Sequence, residues 1–508
     1  MKSRHTKECL GTTKNEDEMI KRLSRSLWIT SPRDGISGHT NSLVEKPVPG
    51  GLVSADSEIG CAVDSVVSFS PIATDAAHWS VGKAASRAST IAAQQLVRDC
   101  LNAIPKIEGI TRRGARSFPH PFPARMPLEV ARTIVETISN NGDIVADPMM
   151  GSGTTIKAAV LSNRHGLGFD LDPLSPFLAN AYCAPVPHDI LRDVGAAILD
   201  RAVFLEKHTS ADDFLADVHD AEDRKFLEYW FPASSYHRLF CLVNAIDEIA
   251  NPDQMSMFAA LFSSIIISRE SGASFALDLS RSRPHKSLEK VVRDPFDLWK
   301  LKLREFVRFS ENHQISQGNL IVGMADGRSL PLGDNSIDAV ITSPPYLNAI
   351  DYIRTSKFSL VFFGQRLSRL REIRKSSVGT ETGLRTSLPE EILEGMVTDG
   401  VADPARRPLV RRYLADMLSA ISESFRVLKP GGRAIYVVGP SILSRSRYDG
   451  GEVFAKLASL AGYDVIGVAR RDLSAANRSL PPPRRNNRSA AINQRMTCEL
   501  YVGMVKPS

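Results

Sequence analysis

The amino-acid sequence predicts an α/β fold: a mostly parallel sheet with helical crossovers, interrupted by two long excursions. Three observations carry this. Short apolar runs ending in a turn signal or an acid alternate with helix-period segments between residues 128 and 182. The same strand texture returns at Leu320–Ala325 and Ile337–Thr342. It closes with Ala434–Val438, Asp464–Val468 and Cys498–Val505, which makes seven strands in all.

The elements follow in order. Residues 1–88 are rich in Ser, Thr, Gly, Asp and Lys and weakly periodic, and read as a poorly ordered or accessory arm. A first core part spans 89–187. In it, helices are expected over Thr90–Ile104 and Leu128–Ile138. Asp143–Asp147 is a short buried strand entering a glycine turn, followed by a helix over Thr155–Leu161. His165–Asp170 is a second strand ending in acid, followed by a helix over Ser175–Tyr182. Residues 188–315 interrupt the alternation and read as a mainly helical insertion. The second core part, 316–508, contains a variable loop at 347–407 rich in Arg, Ser and Gly. Within it a long helix from about Arg411 to Leu428 stops at Lys429-Pro430-Gly431-Gly432.

Composition bounds the function. The chain has 508 residues, 43% of them apolar, so a sizeable core can be buried. A net charge of +6 permits a polyanion partner without requiring one, so local basic clusters matter more than the total. Six cysteines are scattered with no CxxC pair and no Cys/His cluster at metal spacing. They read as reduced thiols of a cytoplasmic protein that holds no metal. No secretory signal is visible at the N-terminus. The most apolar segment, Met257–Ser268, is broken by serines and falls far short of the roughly 20 residues a membrane span needs.

The first chemical motif is Asp147-Pro148-Met149-Met150-Gly151-Ser152-Gly153-Thr154-Thr155, between strand and helix. Glycines let a backbone bend sharply and approach a ligand, and the helix start offers free N–H groups. The GxxxxGK[ST] phosphate loop is absent, and so is the third glycine of a dinucleotide site. What remains is Asp147 at one strand end, able to meet a cationic or amine-bearing ligand, and Asp170 at the next. An acid at the second tip accepts hydrogen bonds from a ribose diol.

The second motif is Ser343-Pro344-Pro345-Tyr346, directly after a strand. Two prolines fix φ and remove two N–H donors, which leaves a rigid loop rich in acceptors. Such a loop suits a planar ring bearing an amine. The amine donates to the Ser343 hydroxyl and the Pro344 carbonyl, and Tyr346 offers a stacking face. The lone pair of an exocyclic amine is delocalised into its ring. Acceptors around its N–H bonds favour a pyramidal nitrogen whose lone pair can meet a methyl group, with positioning and oriented dipoles supplying the catalysis.

Together these residues resemble the DNA amino-methyltransferases. DPMMGSGTT is similar to their cofactor motif and TSPPY to their catalytic tetrapeptide, whose Ser form is typical of cytosine-N4 enzymes. His120-Pro-Phe-Pro-Ala-Arg-Met-Pro127 resembles the segment that covers the methionine end of the cofactor, and RVLKPGGRAIYVV the passage into the fifth strand. The resemblance implies the Rossmann-like, seven-stranded sheet of S-adenosylmethionine-dependent methyltransferases, mostly parallel with a reversed last strand. It implies S-adenosyl-L-methionine as cofactor, with Asp147, Pro148, Gly151, Ser152, Gly153 and Thr154 at the methionine end and Asp170 on the ribose. Asp326 would sit near the adenine amine; Phe118, His120 and Phe122 are weaker candidates. Ser343, Pro344, Pro345 and Tyr346 would be catalytic.

The activity implied is transfer of a methyl group to cytosine N4 in a specific DNA sequence, as in restriction-modification or phage defence. The partners implied are double-stranded DNA with a flipped target base and a separately encoded restriction endonuclease or defence-system subunits, with no membrane. An adenine-N6 DNA enzyme is the nearest rival, an RNA amino-methyltransferase a more distant one, and a non-catalytic recognition subunit the outlier. Cytosine-C5 chemistry needs a nucleophilic thiolate, usually from a Pro-Cys pair, and none occurs. A flipped base calls for a basic rim. Gln365–Lys375 and the arginines of 470–495 read as phosphate-contacting, while the 188–315 insertion and the 347–407 loop are where sequence would be read.

Overall fold

The computed structural model describes residues 28–31, 87–106, 118–122, 125–218, 220–268, 272–277, 279, 284–313, 318–347, 352–378, 407–443, 446–448, 450–473 and 498–508. Its centre is one sheet. The strands are β1 (Trp28–Ser31), β2 (Ile144–Asp147), β3 (His165–Asp170), β4 (Leu320–Met324), β5 (Ile337–Thr342), β6 (Leu428–Val438), β7 (Asp464–Asp472) and β8 (Cys498–Val505). In space they run β1-β4-β3-β2-β5-β6-β8-β7. The block β4-β3-β2-β5-β6 is parallel. β8 is inserted antiparallel between β6 and β7. This is the mostly parallel sheet with a reversed last strand. The difference from seven is β1, which pairs antiparallel with β4 from within the stretch read as an accessory arm. Four residues at a sheet edge carry no alternation long enough to read.

Both faces of the sheet are covered, and consecutive residues divide between them. Val145, Ala339, Ile341, Ile435 and Val437 pack with α1 (Arg87–Ala103) and α2 (Leu128–Ile138). Their neighbours Ala146, Val340, Ala434, Tyr436 and Val438 pack with α13 (Arg407–Val427) and α14 (Gly450–Leu460). A strand buried on both sides must be apolar at every position, which is why these runs show no alternation.

The crossover helices α3 (Thr154–Leu161) and α4 (Ser175–Cys183) follow β2 and β3. Between β3 and β4 the chain also builds α5 (His188–His208), α6 (Ala211–Asp217), α7 (Ala221–Trp230), α8 (Ala233–Asp247), α9 (Pro252–Ile266) and α10 (Pro295–Glu311). Their starts are local in origin: Asn251 and Asp294 each accept two backbone N–H bonds ahead of a proline, and Ser210 forms a capping box with Asp213. Helix α9 is buried almost all round, so its apolar run is the core of the insertion. That core is continuous with α4, α11 (Ile353–Leu360) and α12 (Leu367–Ser376). Among the described residues no helix is long and apolar enough to cross a membrane. Cys100, Cys183, Cys241 and Cys498 are buried free thiols.

Candidate active site

Because β2 to β6 are parallel, their carboxyl ends share one edge, the edge where open α/β sheets bind ligands. Asp147, Asp170, Asp326 and Ser343 all follow from strands ending there. The glycine turn is locally determined. Gly151 and Gly153 have φ of +52° and +80°, conformations that a side chain disfavours. A Cβ at Gly153 would stand 2.6 Å from that of Ala179, so this glycine also lets α3 meet α4 closely. The Gly151 N–H donates to Asp170 Oδ2 at 2.8 Å, which ties the turn after β2 to the tip of β3. Asp170 Oδ1 accepts the Asp172 N–H at 2.9 Å, and burial raises its pKa. Pro148 is buried, and its carbonyl backs onto Gly327, bringing the Asp326 segment against the turn. The Asp326 carboxylate itself is gripped by the Arg328 guanidinium (2.7 Å), which also holds Asp416 of α13 at 2.6 Å.

The 118–127 segment lies over this turn. The Phe122 ring edge is 3.2 Å from where a Cβ of Gly151 would be, and its face stacks on Tyr352 with centroids 5.0 Å apart and planes 7° apart. Arg125 secures the segment: Nε donates to Ser152 Oγ at 3.0 Å and Nη2 to the His120 carbonyl at 3.2 Å. Its guanidinium rests on the rings of Phe118 and Tyr182. Phe118 is thereby a packing residue among Tyr182, Phe306 and Phe309. His120 is buried, with Nε2 3.0 Å from Ser263 of α9, and burial together with the Arg125 charge holds its pKa down at about 3. It is a neutral anchor between the segment and the insertion. Phe122, Gly151 and Asp170 therefore come together, while the His120 ring meets Ser263 through Nε2 and its buried Nδ1 has no hydrogen-bond partner among the described residues. Sequence reasoning did not single out Arg125, although it lies within the quoted HPFPARMP, and Tyr352 sits in a stretch with no local signal.

The second motif stands beside the first. β5 is the parallel neighbour of β2, and Thr342 ends it just before Ser343. The Thr342 and Thr155 hydroxyls and the Met149 N–H (3.1 Å) all favour ionisation of Asp147. Burial outweighs them and pushes this carboxyl up to about 6, and the nearby Asp170 charge adds to the rise. Pro344 is buried, Ser343, Pro345 and Tyr346 are half-buried, and Tyr346 packs on the same apolar cluster as Met149. The pairing of β2 with β5 is thus what sets the two motifs side by side.

Comparison with known proteins matches this arrangement. A family described as DNA methylase matches residues 86–174. The type II methyltransferase M.MvaI of Kocuria varians is 23% identical over 353 residues, 63% of this chain and 75% of that protein. The chain is similar to these DNA methyltransferases. The type II methyltransferase M.BsoBI of Geobacillus stearothermophilus is also 23% identical, over 52% of this chain and 55% of its own length. A 55-residue stretch is 47% identical to the orphan methyltransferase M.BamHII of Bacillus amyloliquefaciens, covering 11% of this chain and 20% of that one.

The cofactor of such methyltransferases is S-adenosyl-L-methionine, and the residues fit it. The turn at Gly151 leaves a space that a Cβ would take up, and Thr154 Oγ1 is buried with no protein partner. Anionic Asp147 and Asp170 suit a ligand bearing an ammonium, a sulfonium and a ribose. Two arginine-rich stretches fare differently. Gln365–Lys375 forms most of α12. Arg471 is buried against Glu499 and Tyr501, Arg470 pairs with Asp472, and Arg478–Arg495 lie outside the described residues. Arg471 is therefore a core residue and does not contact phosphate.

Proposed function

We propose that this chain methylates the exocyclic N4 amine of cytosine within a specific sequence of double-stranded DNA. The observation that carries the proposal is the parallel adjacency of β2 and β5, which sets the glycine turn beside a proline-stiffened Ser-Pro-Pro-Tyr loop. When bound, S-adenosyl-L-methionine supplies the electrophilic methyl group. Asp147 and Asp170 would hold its charged and hydroxyl-bearing ends, with Phe122 covering the Gly151 turn. Ser343 Oγ and the Pro344 carbonyl accept the two N–H bonds of the target amine and favour a pyramidal nitrogen. Tyr346 stacks on the ring and fixes its plane, and the prolines keep the acceptors from relaxing away. This is catalysis by preorganised dipoles and position. The Ser form of the tetrapeptide is what favours cytosine.

The test is incubation of the full chain with labelled cofactor and mixed-sequence duplex DNA, followed by nucleoside mass spectrometry. N4-methylcytosine supports the proposal. N6-methyladenine overturns the choice of base, and no methylated nucleoside from a protein that binds the cofactor overturns the activity.

A further inference from the structure

We propose that the groove between α7 of the insertion and the α11–α12 pair holds the phosphate backbone of DNA beside the extruded base. This rests on the DNA reading above and adds the surface by which the duplex is held. The groove has a volume of about 480 Å³. Five basic side chains line it, Lys225, Arg354, Lys357, Arg371 and Arg374, against a single carboxylate, Glu222. That carboxylate is paired with Arg371 across the groove, and Asp220 and Asp223 lie near the same arginine, so the five basic residues still outnumber the acids around them. Its floor is apolar, built on Phe226 and Trp230, whose rings meet Phe358 of α11 at 5.0 and 5.1 Å. Lys357 lies over the Phe226 ring with its ammonium 5.2 Å from the centroid. Aliphatic stems on an apolar floor with cationic heads above suit a sugar–phosphate chain better than an apolar ligand.

Three further observations point to nucleic acid. Tyr229 also lines the groove and is 52% exposed, with the Lys286 ammonium 3.9 Å from its ring centroid. A large exposed aromatic among cations is how proteins stack on a base or sugar. The groove is also preset: buried Asp223 of α7 accepts the Leu367 N–H at the start of α12 at 2.9 Å, and Glu222–Arg371 adds a second tie. Finally, the groove adjoins the site along the chain. Ile353 and Arg354, which line it, directly follow Tyr352, the ring stacked on Phe122 over Gly151. A duplex delivering a base to Ser343 would pass over these cations.

The experiment is fluorescence anisotropy with a labelled mixed-sequence duplex and the full chain across 50–200 mM salt. The double variant Lys225→Ala/Arg374→Ala is expected to bind about tenfold more weakly at the low-salt end, with the slope of log affinity against log salt reduced by roughly 2. Lys225→Ala alone, on an exposed helix position, is expected to reduce the slope by about 1. Tyr229→Ala is expected to weaken binding with the slope unchanged, and Tyr229→Phe to restore it. Unchanged cofactor affinity by calorimetry shows that each variant is folded. Wild-type affinity and slope in both the single and double charge variants would overturn the groove while leaving a DNA-methylating wild type intact. A wild type that binds no duplex would overturn both readings.

Discussion

Asp147→Asn separates what the site needs from what the fold prefers. Asp147 is 3% exposed at the tip of β2, and burial lifts its carboxyl from 3.8 to about 6. The folded state therefore holds this proton more tightly than the unfolded chain. Its contribution is most favourable below about pH 4 and is lost as pH rises through 6. Above pH 7, with the group ionised in both states, the folded protein is destabilised by about 3 kcal/mol. Integrating the two titrations, about half of that is lost between pH 5 and pH 8. The amide cannot ionise, keeps an acceptor for the Met149 N–H, and presents a donor to the Thr342 and Thr155 hydroxyls. The D147N protein is expected to be more stable than wild type at pH 8, with the gap smaller by roughly 1 kcal/mol at pH 5. Calorimetric titration should show it binding the cofactor weakly at both pH values. Paired urea or thermal denaturation curves at the two pH values provide the measurement. A D147N protein less stable than wild type at pH 8, or a gap independent of pH, refutes the claim that an ionised carboxylate is buried here at a cost.

Four other outcomes are expected. Ser343→Ala and Tyr346→Ala should each lower turnover on the order of 10²-fold with cofactor affinity kept, and equal loss of cofactor binding would contradict their placement on the base. Asp170→Ala removes the acceptor of the Gly151 N–H and should weaken cofactor binding about ten- to a hundredfold by calorimetry; unchanged affinity would sink that role. Gly153→Ala forces a Cβ against Ala179 at φ +80° and should destabilise by about 1–3 kcal/mol or more, and a wild-type melting temperature would show that the turn tolerates side chains. Glu499→Gln leaves Arg471 charged and buried and should cost about 3–5 kcal/mol in denaturation; an effect confined to a few tenths would mean the pair is hydrated.

The sheet was legible because its information is local. Each core strand is a short apolar run; β2 and β3 end at an acid, and β5 runs through Thr342 and Ser343 into two prolines. Strand β1 was not legible, since four residues become a strand only by pairing with β4, far away in the chain. The site divides the same way. The two motifs announced themselves through glycine and proline, residues whose backbone constraints show in the letters alone. Arg125 and Tyr352 did not, because an arginine on Ser152 and a tyrosine on Phe122 depend on tertiary approach. Arg471 misled for that same reason: one letter serves for a solvated cation and for one locked beneath Glu499. His120 likewise belongs to a contact with Ser263 that no spacing reveals.

The reversed strand has a consequence for how the protein comes into being. Among the described residues β8 is the last sheet strand in the sequence, yet its slot is interior, and β7 pairs there with β8 alone. A nascent chain that has already made both motifs still lacks the wedge that joins β7 to the rest. Until it arrives, that side of β6 is an open edge of backbone N–H and C=O groups. Closure of the sheet on that side therefore waits on β8.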